Sequence, residues 1–123
     1  MRQIRVVIAD DNERVRQVLA ELLADEDSME VVGTAQDADA AIELCSEQRA
    51  DVALVDVNMP GGGGRRVSRE VTQKDPPTQV IGLTADPDPA VHRAMLEAGA
   101  VDCFVKFADP KEIVEAIGNV PQG

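Results

Sequence analysis

Five polar residues, each at the end of an apolar run, have side chains that can do chemistry together: Asp10, Asp11, Asp56, Thr84 and Lys106. They offer carboxylates, a hydroxyl and an ammonium group. Carboxylates that lie close together repel each other unless a cation joins them. A hard divalent cation with oxygen ligands, Mg²⁺ above all, suits a site with few protein ligands and several waters. If the fold brings these residues together, they are expected to bind magnesium.

The same residues are suited to receive a phosphoryl group. A carboxylate can form an aspartyl-phosphate, and the sequence assigns this nucleophilic role to Asp56. Mg²⁺ and Lys106 then neutralise charge on the transferring group, while the Thr84 hydroxyl donates a hydrogen bond to one of its oxygens. Asn58 follows in the segment VDVNMPGGGG, where the backbone near Asn58 must approach the metal and the phosphoryl group closely. The glycines predict a loop that can rearrange around the site.

These residues need elements that hold them side by side, and the chain supplies apolar runs that alternate with helical patterns. Near-continuous apolar strands are buried on both faces, which predicts an α/β fold with a parallel sheet between two layers of helices. Ligands bind outside the carboxyl ends of such strands, where the five polar residues stand. The predicted strands span 4–9, 30–35, 51–57, 79–85 and 101–106, and the helices span 11–26, 37–49, 64–74 and the segments that begin at Asp88 and Asp109.

The first helical segment shows how a residue can serve two roles. Its apolar positions Val15, Val18, Leu19, Leu22 and Leu23 predict one buried face. Asp11, just before it, is expected to cap the helix as well as to bind the metal, since the two roles are compatible.

Composition limits the classes of function. The 123 residues fit one domain, spanning 1–123, and 23 acidic against 12 basic residues give a net charge of −11. This charge repels a phosphate backbone, so direct nucleic-acid binding by this segment is not expected. Cys45 and Cys103 form neither a zinc motif nor a disulfide framework, which favours a cytoplasmic location. No run is long enough to cross a membrane, so no membrane partner is expected.

Together these motifs resemble the receiver domains of two-component response regulators along essentially the whole chain. The resemblance rests on the acidic pair of IADD, the acceptor segment VDVNMPG, the threonine of LTA and the lysine of FVK, with the spacing between them. It implies the flavodoxin-like (βα)5 fold with strand order 2-1-3-4-5. It also implies that the domain is a signalling phospho-acceptor rather than an enzyme.

The resemblance further implies a partner and a ligand set. Asp56 would be phosphorylated by the phosphohistidine of a sensor histidine kinase or a phosphotransfer protein. Asp11 and Asp56 would ligate Mg²⁺ directly, together with the backbone carbonyl of Asn58, and Asp10 would act largely through water. A homodimer formed on phosphorylation, and transcriptional control through a separate DNA-binding domain, are further expectations of the family.

In this family the switch moves the threonine, here Thr84, and an aromatic residue three positions before the lysine. This movement reshapes the face made by the fourth helix, the fifth strand and the fifth helix. Here that position is Cys103, while Phe104 should point to the opposite face of the strand. Thr84 and Cys103 are therefore the switch residues assigned to this chain, although a small buried hydrophobe is also a reading of Cys103. Phe107 replaces the proline that many relatives have in a cis peptide after the lysine; a cis bond before Phe107 would be strained, so this bond is expected to be trans or strained.

Three other classes of protein are alternatives to a phosphorylated receiver domain, and the sequence supports them unequally. A receiver-like module that binds partners without phosphorylation is compatible with the changes at Cys103 and Phe107. An Asp-nucleophile phosphatase of the haloacid-dehalogenase type needs an acid two residues after the nucleophile, and Asn58 cannot take that role. A flavodoxin-like cofactor binder is disfavoured, because the chain has no Trp or Tyr for stacking and no glycine fingerprint after the first strand.

Overall fold

The computed structural model describes residues 2–106 and 108–121, in which strands and helices alternate throughout. The strands are β1 (Ile4–Ala9), β2 (Met29–Ala35), β3 (Val52–Asp56), β4 (Gln79–Thr84) and β5 (Asp102–Val105). The helices are α1 (Glu13–Ala24), α2 (Ala38–Glu47), α3 (Gly63–Val71), α4 (Pro89–Glu97) and α5 (Pro110–Gly118). The predicted boundaries are therefore confirmed to within a few residues.

All strand pairs are parallel, and the sheet has the order β2-β1-β3-β4-β5. Helices cover both faces. Leu23 from α1 and Ile117 from α5 pack on one face, whereas Ala41 from α2, Val67 from α3 and Met95 from α4 pack on the other. The predicted fold class and the strand order implied by the family resemblance are confirmed. The central strand β3 is buried over its whole length, which explains its continuous apolar sequence.

Side chains fix where the helices begin. Asp88 and Asp109 cap α4 and α5 as predicted, each with a proline at the start of the helix. For α1 the prediction was wrong, because the cap is Asn12, whose Oδ1 accepts a hydrogen bond from the Val15 N–H. The turn that begins at Asp10 delays the helix to Glu13, so Asp11 stays free of capping and remains exposed.

The glycine segment leads into a helix as predicted, although α3 begins one residue earlier than expected, so that Gly63 as well as Gly64 belongs to its first turn. A Cβ atom on Gly63 would overlap the carbonyl oxygen of Val57, and one on Gly64 would lie 2.8 Å from the carbonyl oxygen of Asp56. Gly63 also has a φ of +69°, a backbone conformation that residues with a side chain rarely adopt. These glycines therefore let α3 pack directly on the end of β3.

The apolar face of α1 is narrower than predicted. Leu19 and Leu23 are buried, and Val15 and Leu22 are half-buried, but the Val18 side chain is 56% exposed. Val18 lies at the margin of the helix face that packs on the sheet, so it is left at the surface between α1 and α5.

Candidate functional site

The fold places the candidate side chains at one edge of the sheet. Asp10 directly follows β1, Asp56 and Thr84 are the last residues of β3 and β4, and Lys106 directly follows β5. Strands β1, β3, β4 and β5 are neighbours in the sheet, so their carboxyl ends adjoin. The predicted convergence of these residues is therefore present, with Asp11 beside Asp10.

Asp10 is fully buried and held from several sides. Its N–H donates to the Ala35 carbonyl at 3.0 Å, and its carboxylate Oδ1 accepts from the Asn12 N–H at 2.9 Å. The guanidinium of Arg16 donates to the Asp10 carbonyl oxygen at 2.7 Å. These contacts fix both the backbone and the carboxylate of Asp10, so its second oxygen, Oδ2, has a defined position.

Asp56 is a buried carboxylate, 3% exposed, at the end of the central strand. Its Oδ1 accepts a hydrogen bond from the Asn58 N–H at 3.1 Å. Burial raises the pKa of Asp56 above its ordinary value; the Asn58 hydrogen bond and Lys106 oppose this shift, and the charge of Asp10 adds to it. The ionised form of Asp56 is therefore destabilised, and a nearby cation stabilises it.

Lys106 supplies a cation to both buried carboxylates. Its Nζ lies 2.8 Å from Asp10 Oδ2 and 3.4 Å from Asp56 Oδ2. Burial lowers the pKa of Lys106, but the contact with Asp10 and the attraction of the two carboxylates outweigh it, so the net pKa lies above its ordinary value. Lys106 is therefore charged at neutral pH and faces the group at which the chemistry is expected.

Thr84 is 3% exposed, and its backbone is fixed by the Lys106 N–H, which donates to the Thr84 carbonyl at 2.7 Å. Its hydroxyl oxygen accepts a hydrogen bond from the Asp86 N–H at 3.0 Å. Because a hydroxyl has one proton and two lone pairs, the Thr84 proton can still be donated to an oxygen at the site.

The carboxylates of Asp10, Asp11 and Asp56 form a cluster that suits a hard cation. One oxygen from each lies within 4.8 Å of the others. The buried Asp10 Oδ2 has no hydrogen-bond partner among the described residues, although it forms the ion pair with Lys106. An all-oxygen donor set of three carboxylates, two of them buried, fits Mg²⁺. Asn58 lies exposed next to this cluster, in the loop where its carbonyl was predicted to serve as a ligand.

Cys103 is buried on the α4 side of the sheet, and Phe104 packs on the opposite face, as the strand alternation predicts. The Cys103 sulfur and the Met95 Cε lie 3.1 and 3.0 Å from the point where a Cβ would stand on Gly82. Burial, reinforced by Asp102, raises the pKa of the Cys103 thiol. Cys103 thus packs as a small apolar side chain beside Met95. Phe107 lies outside the described residues.

Two contacts at the site were not predicted from the sequence. Arg16 holds the Asp10 carbonyl, and Asn12 both caps α1 and donates its N–H to Asp10. An asparagine beside two aspartates is a visible cap signal, although it competes with Asp11. The direction of the long Arg16 side chain depends on how α1 packs on the sheet, so no local pattern indicates it.

Comparison with known proteins agrees with this fold and site. The family profile of the response regulator receiver domain matches residues 6–118. The response regulator GacA of Pseudomonas viridiflava is 35% identical over 120 residues, which are 98% of this chain and 56% of GacA. NarL of Mycobacterium tuberculosis, described as a transcriptional regulatory protein, is 36% identical over 121 residues with the same coverage. The chain belongs to the response regulator receiver domain family of two-component systems.

Solved structures give the same result. The signal receiver domain of Mycobacterium tuberculosis NarL superposes with a TM-score of 0.91 and 35% identity, over 97% of this chain and 96% of that one. The isolated receiver domain of RcsB from Salmonella enterica, solved in the presence of the phosphomimetic BeF₃⁻, has a TM-score of 0.84 and 27% identity, over 94% of this chain and 86% of that one. The chain spans about half the length of the curated relatives it matches. Among its described residues, no helix combines the length and apolar character needed to span a membrane.

Proposed function

We propose that this chain is a single phospho-acceptor domain, over residues 1–123, that takes a phosphoryl group onto Asp56 in a Mg²⁺-dependent reaction. The observation that carries the proposal is the arrangement around Asp56, a buried carboxylate with Lys106 Nζ 3.4 Å away and the Asp10–Asp11 pair alongside. The two buried carboxylates, Asp10 and Asp56, are costly unless they serve a cation or a charge-transfer step. Membership of the receiver family supports the same role.

The transfer step follows from the chemistry of the acceptor. A carboxylate oxygen of Asp56 forms a bond to phosphorus, and the bond between phosphorus and the imidazole nitrogen of a phosphohistidine donor breaks. The leaving imidazole keeps the electron pair of that bond and takes up a proton. Lys106 neutralises charge on the transferring oxygens, and Thr84 donates its free hydroxyl proton to one of them.

Asp10, Asp11, Asp56 and the Asn58 carbonyl are the groups that would hold the metal. Bound Mg²⁺ supplies positive charge that offsets the carboxylates and the phosphoryl oxygens. The chain itself fixes the site beforehand, because the Asn12 N–H holds Asp10 and the Asn58 N–H holds Asp56. These two hydrogen bonds therefore hold the carboxylates of Asp10 and Asp56 in one orientation before a phosphoryl donor arrives.

The partner would be a sensor histidine kinase or a phosphotransfer protein. A groove of about 270 Å³ between α1 and α5 opens beside Lys106 and is lined by Val18, Leu19 and Ile113. The exposure of Val18 there suits an apolar contact with a partner that must approach Asp56 closely. The cytoplasmic location predicted from the cysteines belongs to this proposal, because such donors act inside the cell.

The output would pass through the face formed by α4, β5 and α5, with Thr84 and Cys103 at its base. A homodimer formed through such a face on phosphorylation is part of the proposal. Since GacA and NarL are named as regulators and this chain covers about half of each, a transcriptional output through a further domain is proposed as well. The acidic net charge of −11 argues against this domain itself as the DNA-binding part.

Phosphorylation can be tested by intact mass spectrometry. The protein is incubated with Mg²⁺ and acetyl phosphate or phosphoramidate, and we expect the mass of one phosphoryl group to be gained. The gain should be lost in Asp56→Asn and in EDTA. Asp27→Asn is the matched control, because Asp27 is exposed in the loop between α1 and β2 and the same chemical change there should leave the gain intact.

The opposite result has an equally definite meaning. No mass gain with either donor, and no Mg²⁺-dependent binding of beryllofluoride, would refute the acceptor role. The chain would then act as a receiver-like interaction module.

A further inference from the structure

Arg66 on α3 contacts three different parts of the structure. Its Nη1 donates to Asp39 Oδ1, in the first turn of α2, at 2.7 Å and to the carbonyl oxygen of Gly61 at 2.8 Å. Its Nε donates to Glu70 Oε2, one turn further along α3, at 2.7 Å. One guanidinium group therefore joins α2, α3 and the loop that connects β3 to α3.

The side chain of Arg66 lies directly against two of the consecutive glycines. A Cβ atom on Gly62 would stand 2.9 Å from the Arg66 Cδ and 3.1 Å from the Arg66 Cβ. A Cβ atom on Gly61 would stand 3.3 Å from the Cβ of Ala38 in α2. Both glycines have a positive φ, +90° at Gly61 and +110° at Gly62. The absence of side chains at these two positions therefore lets the loop approach both Arg66 and α2 closely.

The loop from residue 58 to residue 62 needs such contacts to keep one conformation. Glycine loses more conformational freedom on folding than any other residue, so consecutive glycines are ordered only where other groups hold them. The Met59 side chain is buried in the core, and the Pro60 carbonyl accepts a hydrogen bond from the Ala38 N–H at 2.9 Å. Arg66 attaches the exposed part of the loop, where Gly61 has no side chain of its own.

We propose that Arg66 is a positioning residue that holds this loop on α2 and thereby keeps Asn58, three residues before Gly61, beside the acidic cluster. The inference rests on the proposed function, in which the Asn58 carbonyl is a ligand of Mg²⁺. It goes beyond that function by making the metal affinity depend on a partly exposed arginine outside the cluster. A positive charge near the cluster would by itself repel Mg²⁺, so Arg66 favours metal binding only through the backbone that it holds.

Titration calorimetry of the whole protein with MgCl₂ tests this role in matched variants. Arg66→Gln should raise the Kd for Mg²⁺ by about threefold to fivefold, because the loop loses a hydrogen bond that orders it. Arg69→Gln, at an exposed position of the same helix, is the control for charge. Each variant removes one positive charge, which by itself strengthens Mg²⁺ binding, so the Kd of Arg69→Gln should stay unchanged or fall slightly.

Amide hydrogen exchange in the metal-free protein gives a second measurement. The Ala38 N–H donates to the Pro60 carbonyl of the loop, whereas the Ala40 N–H donates to Asp37 Oδ1 at 2.8 Å within the cap of α2. In Arg66→Gln, the Ala38 amide should exchange about fivefold faster than in the wild type, while the Ala40 amide exchanges as before. This difference distinguishes release of the loop from a general loosening of α2, which would accelerate both amides.

Asp39→Ala tests whether Arg66 acts through α2. The substitution removes the acceptor on α2 that Arg66 contacts at 2.7 Å. It should therefore accelerate exchange of the Ala38 amide in the wild-type background and have little further effect in the Arg66→Gln background. Two residues that act through one shared contact give such non-additive effects.

The outcomes separate the two proposals. If the wild type binds no Mg²⁺, the metal-dependent function and this inference both fail. If the wild type binds Mg²⁺ but Arg66→Gln and Arg69→Gln have the same Kd, only the positioning role of Arg66 is refuted. Equal acceleration of the Ala38 and Ala40 amides, or additive effects of Asp39→Ala and Arg66→Gln, would also refute it. In either case the contact between Arg66 and α2 would not be what holds the loop.

Discussion

The Asp56 carboxylate costs folding free energy when no metal is bound. Burial, followed by the Asp10 charge, raises its pKa despite the Asn58 hydrogen bond and Lys106. An acid whose pKa is raised in the folded state destabilises the fold above that pKa, and the cost disappears as the pH falls below the ordinary value of about 4. In EDTA, we therefore expect Asp56→Asn to be more stable than the wild type at pH 7, with a smaller difference at pH 4. Urea unfolding followed by circular dichroism measures both values.

The matched control is Asp27→Asn, at an exposed loop position. It should change stability little at either pH, because surface substitutions away from special features have small effects. A lower stability of Asp56→Asn at pH 7 would mean that the attraction of Lys106 outweighs the burial of the carboxylate.

The site residues could be predicted because each ends an apolar run, and strand ends converge in a parallel sheet. The choice between Asp11 and Asn12 as helix cap could not, since both side chains are good caps and only the turn after Asp10 decides between them. The contact from Arg16 to the Asp10 carbonyl depends on the packing of α1, so it also required the structure.

The start of α3 shows what local sequence cannot reveal about an element. Four consecutive glycines indicate a loop before the helix predicted from residue 64, yet Gly63 is already helical and both Gly63 and Gly64 are buried against β3. The reason is that the backbone of α3 closely approaches the carbonyl groups of Asp56 and Val57. No local sequence pattern indicates this approach. Gly63 and Gly64 thus let α3 pack against the carbonyl groups of Val57 and Asp56, beside the loop of Asn58.

A methyl group should separate α3 from β3. Gly63→Ala places a side chain at a φ of +69° and against the Val57 carbonyl, so we expect it to destabilise the fold by about 3 kcal/mol or more. Gly118→Ala is the control, because a Cβ there would meet nothing within 4 Å. At the end of α5 it should stabilise by about 0.4–1 kcal/mol. Chemical denaturation measures the free energy of unfolding of both variants. Equal changes in the two variants would contradict this account.

At the scale of the whole molecule, the fold class followed from continuous apolar strands alternating with helical patterns, and the strand order came from the family resemblance. Neither required knowledge of side-chain contacts. The composition also agreed with an aliphatic core, in which Ile8, Leu54 and Ile81 are fully buried. What the sequence did not reveal was the width of the buried helix faces, as Val18 shows, because that depends on the spacing between neighbouring helices.

The net charge of −11 makes the protein sensitive to cations in two distinguishable ways. Any salt screens the general repulsion, whereas Mg²⁺ bound among Asp10, Asp11 and Asp56 adds a saturable stabilisation. At a concentration ten times its Kd, Mg²⁺ should raise the free energy of unfolding by about 1.4 kcal/mol. Each kcal/mol of this stabilisation should raise the Tm by roughly 4 °C. Calorimetry at constant ionic strength, with NaCl exchanged for MgCl₂, measures the saturable part alone. Asp11→Asn should remove most of the Mg²⁺-dependent stabilisation, because it removes one charged carboxylate of the cluster. Asp11 is exposed and has no role in the core, so the variant should still fold. Asp27→Asn should keep the Mg²⁺-dependent stabilisation. Equal melting curves in the two salts would show that the acidic cluster binds no ion specifically.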